Sequence, residues 1–142
     1  MRALLDINLL IALLDMDHAH HRVATDWLVA NISTGWASCP LTENGCIRIM
    51  SQPGYPNPLP PAQVAQRLAE ATSTEYHRFW PDNLSLVGPD VVEWTSILGA
   101  RQITDVYLLA LAVHKGGRFV TFDRGIPLHA VQRASSEHLV VL

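Results

Sequence analysis

The sequence predicts an α/β domain with a mainly parallel central sheet flanked by helices. Short apolar runs that suit buried strands alternate with longer stretches of helical periodicity, the pattern of a parallel sheet covered on both faces. Acidic residues lie at the boundaries between these predicted strands and helices. Asp6 and Asp123 follow apolar runs, and Glu43 and Asp105 begin amphipathic stretches. The chain has 142 residues, is 49% hydrophobic and shows no internal repeat, so residues 1–142 are expected to form a single domain.

The first third of the chain contains two strand–helix units. The apolar run at residues 3–5 predicts a buried strand, and residues 8–14 continue as a short apolar helix. Asp17 is a candidate cap for a second helix over residues 18–31, where apolar side chains recur at helical spacing. Residues 36–38 form a weak second strand, after which Pro40 suits the first turn of a helix over residues 41–51.

The rest of the chain starts with a proline-rich loop at residues 52–61, interpreted as lying within the domain because either half alone is too small for a good core. The elements predicted after it are a helix at 62–71, strand fragments at 76–80 and 85–87, a helix at 90–98, a helix at 105–115 capped by Thr104 and ended by Gly116-Gly117, a strand at 119–122 and a last strand at 138–142.

The four carboxylates are the main functional signal. Ligands of open α/β sheets bind at the carboxyl ends of the strands, so Asp6, Glu43, Asp105 and Asp123 can converge there from distant parts of the sequence. A cluster of carboxylates repels itself and therefore implies bound cations or shared protons. Oxygen ligands suit Mg²⁺ or Mn²⁺, which serve phosphoryl chemistry. Taken singly, each acid also has a structural interpretation as a helix cap, a turn residue or a partner of a helix dipole.

Polar neighbours extend this candidate site. Asn8, two residues after Asp6, can orient that carboxylate or a water, and Thr121 is expected to point to the same side of its strand as Asp123. Arg124 can contact phosphate or remain solvated. The three histidines at positions 18, 20 and 21 have loose spacing with no second ligand pair nearby, which favours an ordinary helix start over a metal site.

Composition sets limits on the class of protein. A formal charge of −3 argues against nucleic-acid binding through bulk electrostatics. Cys39 and Cys46 are expected to be buried free thiols, which indicates a reducing compartment. The N-terminus lacks a signal-peptide pattern, and the longest apolar run, residues 106–113, is too short to span a bilayer. The expectation is a cytoplasmic protein without a membrane segment.

Four segments resemble the PIN-domain ribonucleases, and within them the VapC toxins of toxin–antitoxin pairs. They are Leu4-Leu5-Asp6-Ile7-Asn8, Leu41-Thr42-Glu43-Asn44-Gly45, Ile103-Thr104-Asp105-Val106-Tyr107 and Val120-Thr121-Phe122-Asp123. The resemblance covers the whole chain and implies a single three-layer PIN-like domain. It places the metal-binding acids of the family on Asp6, Glu43, Asp105 and Asp123, with the accompanying polar residues on Asn8 and Thr121. Arg124-Gly125 stand where the family often has a further acid, so a second metal site is not expected to be complete.

The resemblance further implies Mg²⁺- or Mn²⁺-dependent cleavage of RNA phosphodiester bonds, a small VapB-like antitoxin as partner, and a homodimer. Glu43 can act as a ligand or as a base through water. Two alternatives remain. A phosphatase that begins with a strand-end aspartate needs a second aspartate where Asn8 stands and a lysine near the phosphate, whereas Lys115 is the only lysine. A non-catalytic PIN-like interaction module would usually lack one of the four acids, and all four are present.

Overall fold

A computed structural model describes residues 1–142 and contains one sheet of five strands. The strands are β1 (Ala3–Leu5), β2 (Trp36–Ser38), β3 (His77–Phe79), β4 (Arg118–Thr121) and β5 (Leu139–Val141), and their order across the sheet is β3-β2-β1-β4-β5. Every pairing is parallel, and Ala3 lies opposite both Trp36 and Arg118. The prediction of a mainly parallel sheet is therefore confirmed, and β1 lies at its centre with its carboxyl end beside that of β4.

The helices cover both faces of this sheet. They are α1 (Ile7–Leu14), α2 (His21–Asn31), α3 (Pro40–Ser51), α4 (Pro61–Thr72) and α5 (Ile103–His114). Successive side chains of a strand point to opposite faces, so Leu4 and Phe119 pack with α5, whereas Leu5 and Val120 pack with α1, α3 and α4. Burial of each such leucine stabilises the fold by about 1.5–3 kcal/mol. The result is a three-layer α/β arrangement. None of its helices combines the length and apolar character needed to cross a membrane.

The second turn of α3 closely approaches the start of α1 at Gly45. A Cβ atom on Gly45 would lie 2.5 Å from Cδ1 of Ile7, so only glycine allows this distance without movement of the isoleucine. The start of α3 is fixed locally by Pro40 at the first helical position and by Thr42 Oγ1, which accepts the main-chain N–H of Cys39 at 3.0 Å. These contacts bring the beginning of α3 beside the beginning of α1.

Two helix starts differ from the predictions. The second helix begins at His21 rather than at residue 18, because Asp15, not Asp17, supplies the local acceptor: its Oδ1 accepts the N–H of Asp17 at 3.0 Å and folds a turn before the helix. Thr104 does not cap α5. A 3₁₀ turn at Ala100–Gln102 leads directly into Ile103, so Thr104 lies inside the first helical turn.

The predicted strand at 85–87 and helix at 90–98 are wrong. Residues 85–88 form a turn in which Ser85 O accepts the Gly88 N–H at 3.2 Å, and Val87 is exposed. Asp90 adopts a positive φ of 59°, and Val92 then forms an isolated antiparallel bridge with Val131. The β-branched residues of this segment favour extended backbone, so helix is limited to one 3₁₀ turn at Trp94–Ser96.

Candidate metal centre

Asp6 lies where β1 passes into α1 and performs a structural and an electrostatic role together. Its Oδ1 accepts the N–H of Ile7 at 2.7 Å, which makes it the N-cap of α1, while its Oδ2 accepts a hydrogen bond from Thr121 at 2.5 Å. Burial raises the pKa of this carboxyl, the hydrogen bonds from Thr121 and Ile7 lower it, and the charge of Asp123 raises it further. The carboxylate is therefore held rigidly at a cost in desolvation.

The Thr121 hydroxyl links the ends of β1 and β4. It is fully buried, donates to Asp6, accepts the N–H of Asp123 at 3.0 Å and accepts from Asn8 Nδ2 at 3.3 Å. Asn8 Oδ1 is buried and has no hydrogen-bond partner. An unpaired buried acceptor is costly, and here it lies on a residue that also contacts the site. Both polar residues predicted to accompany the acids are thus brought to this position.

Asp105 and Asp123 complete a group of three aspartates. Asp105 is in the first turn of α5, and Asp123 is an exposed residue just after β4 whose Oδ1 accepts the Gly125 N–H at 2.7 Å. Burial, the charges of Asp6 and Asp123, and a carboxyl–carboxyl contact with Asp123 raise the pKa of Asp105 to about 6. Three separate parts of the chain thus supply carboxylates that act on one another electrostatically.

Glu43 belongs to the same end of the sheet but has different immediate partners. Its Oε1 accepts a hydrogen bond from Ser38 Oγ at 2.7 Å, where Ser38 is the last residue of β2. Burial lowers the pKa of His77 and the charge of Glu43 raises it, and burial and the charge of Glu43 together raise the pKa of Cys46. The structure therefore places the three aspartates within electrostatic reach of one another and Glu43 beside Ser38, at the end of β2.

Ser38 and His77 are site neighbours that are not among the residues predicted from the sequence. Ser38 Oγ lies 2.8 Å from His77 Nε2 as well as 2.7 Å from Glu43 Oε1. Ser38 has a sequence signal, because it ends a predicted strand just as Asp6 follows one. His77 has none, since only the pairing of β3 with β2 brings it to Ser38.

The three N-terminal histidines lie outside this group, as the sequence analysis favoured. His21 Nδ1 lies 2.7 Å from the main-chain oxygen of Ala12, His18 accepts the N–H of His20, and the His20 ring contacts that of Phe122. Lys115 follows the C-terminal end of α5, at the opposite end of that helix from Asp105, which removes the lysine required by the phosphatase alternative.

The chemistry of the donors fits a hard divalent cation, although no three acidic, histidine or cysteine side chains form a ready-made metal cage. The available atoms are carboxylate oxygens and the unpaired amide oxygen of Asn8, which Mg²⁺ and Mn²⁺ prefer. No basic side chain offsets the aspartates, because the one ion pair in the structure joins Arg22 to Asp26 on α2. A cation would relieve the repulsion that raises the pKa of Asp105.

Comparison with known proteins gives a consistent result. Residues 3–132 match the PIN domain family. Ribonuclease VapC44 of Mycobacterium tuberculosis is 49% identical over 142 residues, which covers 100% of both chains. Ribonuclease VapC38 of the same organism is 43% identical over 132 residues, covering 92% of each chain.

Two solved structures share the fold at low sequence identity. Mycobacterium tuberculosis VapC20, described as a Sarcin-Ricin loop cleaving toxin, aligns with a TM-score of 0.54 and 14% identity over 82% of this chain and 85% of its own. VapBC2 from Rickettsia felis, bound to a DNA fragment from its promoter, aligns with a TM-score of 0.58 and 10% identity over 87% and 89%. On the family match and the full-length relatives, this chain belongs to the PIN-domain family and, within it, to the VapC ribonuclease toxins.

Proposed function

We propose that this protein is a Mg²⁺- or Mn²⁺-dependent endoribonuclease whose metal ligands are Asp6, Asp105 and Asp123, with Glu43 as a further ligand or as a base acting through water. One observation carries the assignment of the site. Aspartates from the end of β1, the start of α5 and the end of β4 share one environment that raises the pKa of Asp105 to about 6, and no cationic side chain pairs with them. This is the electrostatic signature expected of a cation site.

The residues around the aspartates have separate roles in this proposal. Ile7 N–H and the Thr121 hydroxyl hold the two oxygens of Asp6, and Asn8 Oδ1 remains free to accept from a water. The exposed Arg124, next to Asp123, can donate to a phosphate of the RNA. A bound divalent cation would lower the pKa of a coordinated water and offset the charge that develops on the phosphate.

The test replaces each aspartate by its amide. Asp6→Asn, Asp105→Asn and Asp123→Asn preserve side-chain shape but remove the charge, so each variant is expected to lose RNA cleavage in a gel assay and toxicity on expression. Losses of 100-fold or more are expected, on the order of the effects seen when a catalytic metal site is weakened. Circular dichroism and thermal unfolding would establish that the variants are folded.

Arg124→Ala serves as the comparison, since one exposed phosphate contact is expected to contribute less than a metal ligand. Full cleavage by any two of the three folded aspartate variants would overturn the assignment of the site. Undiminished cleavage by the wild-type protein in excess chelator would overturn the metal requirement.

We further propose that a VapB-like antitoxin binds an apolar groove formed by α1, α2 and α4. The groove has a volume of about 410 Å³ and is lined mainly by hydrophobic side chains, among them Leu14, Leu28 and Ala71. Such a lining suits the apolar face of an amphipathic segment. A basic side chain of the same partner can offset the aspartates, in which case antitoxin and metal would compete.

The groove is tested by a pair of adjacent substitutions on α2. Leu28→Lys puts a charge into the groove and is expected to abolish co-purification of the small protein encoded by the neighbouring reading frame. Val29→Lys is the matched control, because Val29 is 68% exposed and does not line the groove. Equal co-purification by the two variants would place the antitoxin elsewhere.

The remaining proposals concern the whole chain. The single sheet extends from Ala3 to Val141, which supports treating residues 1–142 as one PIN domain. The free, buried thiols of Cys39 and Cys46 support a reducing, cytoplasmic location. A homodimer is proposed from the family resemblance alone, and light scattering on the purified protein would test it by giving the mass of a monomer or of a dimer.

A further inference from the structure

A buried polar chain connects Glu43 to the edge strand of the sheet. Glu43 Oε1 lies 2.7 Å from Ser38 Oγ, which lies 2.8 Å from His77 Nε2. Ser38 is fully buried and His77 is 9% exposed. The His77 ring also packs against Trp36, its neighbour in the β2–β3 register, with ring centroids 4.5 Å apart. Ser38 and His77 are therefore fixed by regular secondary structure and by packing.

The number of available hydrogens determines which group donates in each hydrogen bond of this polar chain. A serine hydroxyl has one hydrogen, so it cannot donate to both of its neighbours. When Glu43 is ionised it can only accept, and Ser38 must donate to it. His77 Nε2 must then carry a hydrogen and donate to Ser38 Oγ. The charge of Glu43 thus favours a hydrogen on His77 Nε2, and a hydrogen bond from His77 then fixes the rotation of the Ser38 hydroxyl.

Glu43 depends on this support more than Asp6 depends on either of its own partners. Its side chain is longer, is only partly buried and has Ser38 as its one side-chain hydrogen-bond partner. Asp6, by contrast, is held at both oxygens. A core histidine satisfied by a serine would need no carboxylate, whereas here the serine hydrogen is directed at an acid of the candidate site.

We propose that His77, acting through Ser38, is a positioning residue for Glu43, holding Oε1 so that the other carboxylate oxygen is presented to the metal or to its water. This inference rests on the proposed function, because it assumes that Glu43 takes part in the metal site. It adds to that site Ser38 and His77, and His77 lies on β3, a strand that is not followed by any of the four acids.

The experiment compares three variants of the full chain. His77→Phe keeps the ring and its packing on Trp36 but removes the N–H donor. His77→Gln returns an N–H near the position of Nε2, and Ser38→Ala removes the link itself. Loss of a residue that orients a metal ligand typically costs 10–100-fold in metal affinity or activity. His77→Phe and Ser38→Ala are therefore expected to raise the half-saturating Mn²⁺ concentration and to lower kcat by about 10-fold or more.

KM for RNA should change little, because neither residue reaches the substrate, and His77→Gln should recover most of the loss. The Mn²⁺ midpoint is read both from cleavage and from the Mn²⁺ dependence of thermal unfolding, so one readout does not need activity. Thermal unfolding in chelator distinguishes a purely structural effect from an effect on metal binding. A structural effect would lower the melting temperature in chelator without changing the Mn²⁺ midpoint. If His77→Phe fails to fold, Ser38→Ala carries the same comparison.

Asp6→Asn distinguishes the two possible failures. If Asp6→Asn is inactive while His77→Phe and Ser38→Ala match the wild type in kcat and Mn²⁺ midpoint, the positioning inference is wrong and the proposed function stands. Tighter Mn²⁺ binding by His77→Phe also overturns the inference, because the chain would then hold Glu43 away from the metal. If Asp6→Asn and a second of the aspartate variants both remain fully active, the proposed function fails and the inference fails with it.

Discussion

Single residues at this site combine structural and chemical roles. The sequence left Asp6 open between a helix cap and a metal ligand, and the structure places one oxygen on the N–H of Ile7 and the other on Thr121. A carboxylate has two oxygens and about four lone-pair sites, so capping α1 does not exhaust its capacity to accept. The cap confirms the structural interpretation, while the ligand role remains a proposal.

Thr121 provides the clearest prediction at this scale. Thr121→Val keeps the shape of the side chain but leaves Asp6 Oδ2 and the Asp123 N–H without their partner, so we expect a loss of about 1–3 kcal/mol in the free energy of unfolding and a strong loss of RNA cleavage. Thr121→Ser loses a buried methyl group at about 1 kcal/mol but keeps the hydroxyl, and should retain most of the cleavage. Urea unfolding and a cleavage assay measure both effects, and equal activity of the two variants would argue against a role for the hydroxyl.

At the scale of elements, the site depends on where helices begin. The side chain of Asp6 caps α1, Glu43 lies in the first turn of α3, and Asp105 lies in the first turn of α5. The positive end of a helix dipole favours negative charge in its first turn, which offsets part of the cost of gathering acids there. The contact between Gly45 and Ile7 then fixes the distance between α1 and α3.

The Gly45 contact is tested by a double-mutant cycle. In Gly45→Ala the new Cβ would lie 2.5 Å from Ile7 Cδ1, so overpacking is expected to destabilise the protein by about 1–3 kcal/mol, partly offset by the better helix propensity of alanine. In an Ile7→Ala background the clash is gone, and the same substitution should be neutral or stabilising by up to about 1 kcal/mol. Urea unfolding of the four proteins measures the cycle, and additive effects would show that the two helices do not meet at this pair.

At the scale of the whole molecule, the acids meet only because the strands pair in the order β3-β2-β1-β4-β5. This order places the carboxyl ends of β1 and β4 side by side, although about 115 residues of sequence separate Asp6 from its hydrogen-bond partner Thr121. Folding therefore concentrates negative charge at one end of the sheet. A cation that binds only the folded state would offset the resulting repulsion and stabilise the folded protein.

The corresponding prediction is a metal-dependent rise in the melting temperature. Mn²⁺ at about 100 times its dissociation constant would stabilise the folded protein by about 2.7 kcal/mol, or several degrees for a domain of this size. Asp6→Asn removes one of the repelling charges but has a single oxygen with which to accept from Ile7 or Thr121, and it should gain less from Mn²⁺ than the wild type does. Thermal unfolding with and without chelator measures the shift, and an identical response of wild type and variant at millimolar Mn²⁺ would contradict a shared site.

Elements with strong periodicity or clear punctuation could be predicted from local sequence. The strands at 3–5 and 36–38, the helix that opens at Pro40 and the end of α5, where Gly116 adopts a positive φ of 68°, follow from local patterns that tertiary contacts reinforce. Local patterns do not suffice at residues 85–98, where short apolar runs predict a strand and a helix that the structure lacks. There the backbone conformation depends on the bridge between Val92 and Val131, a contact between distant parts of the chain.

The candidate site likewise has features that could be predicted from the sequence and features that depend on tertiary contacts. The strand-end positions of Asp6 and Asp123 and the helix starts of Glu43 and Asp105 can be read from the sequence, because strand ends and helix starts are local features. Which acids act on each other was decided by strand order and by the partners of each carboxylate, so the three aspartates group together while Glu43 bonds to Ser38. The approach of His77 to Ser38 depended entirely on the pairing of β3 with β2, because no short-range pattern encodes the neighbour of an edge strand.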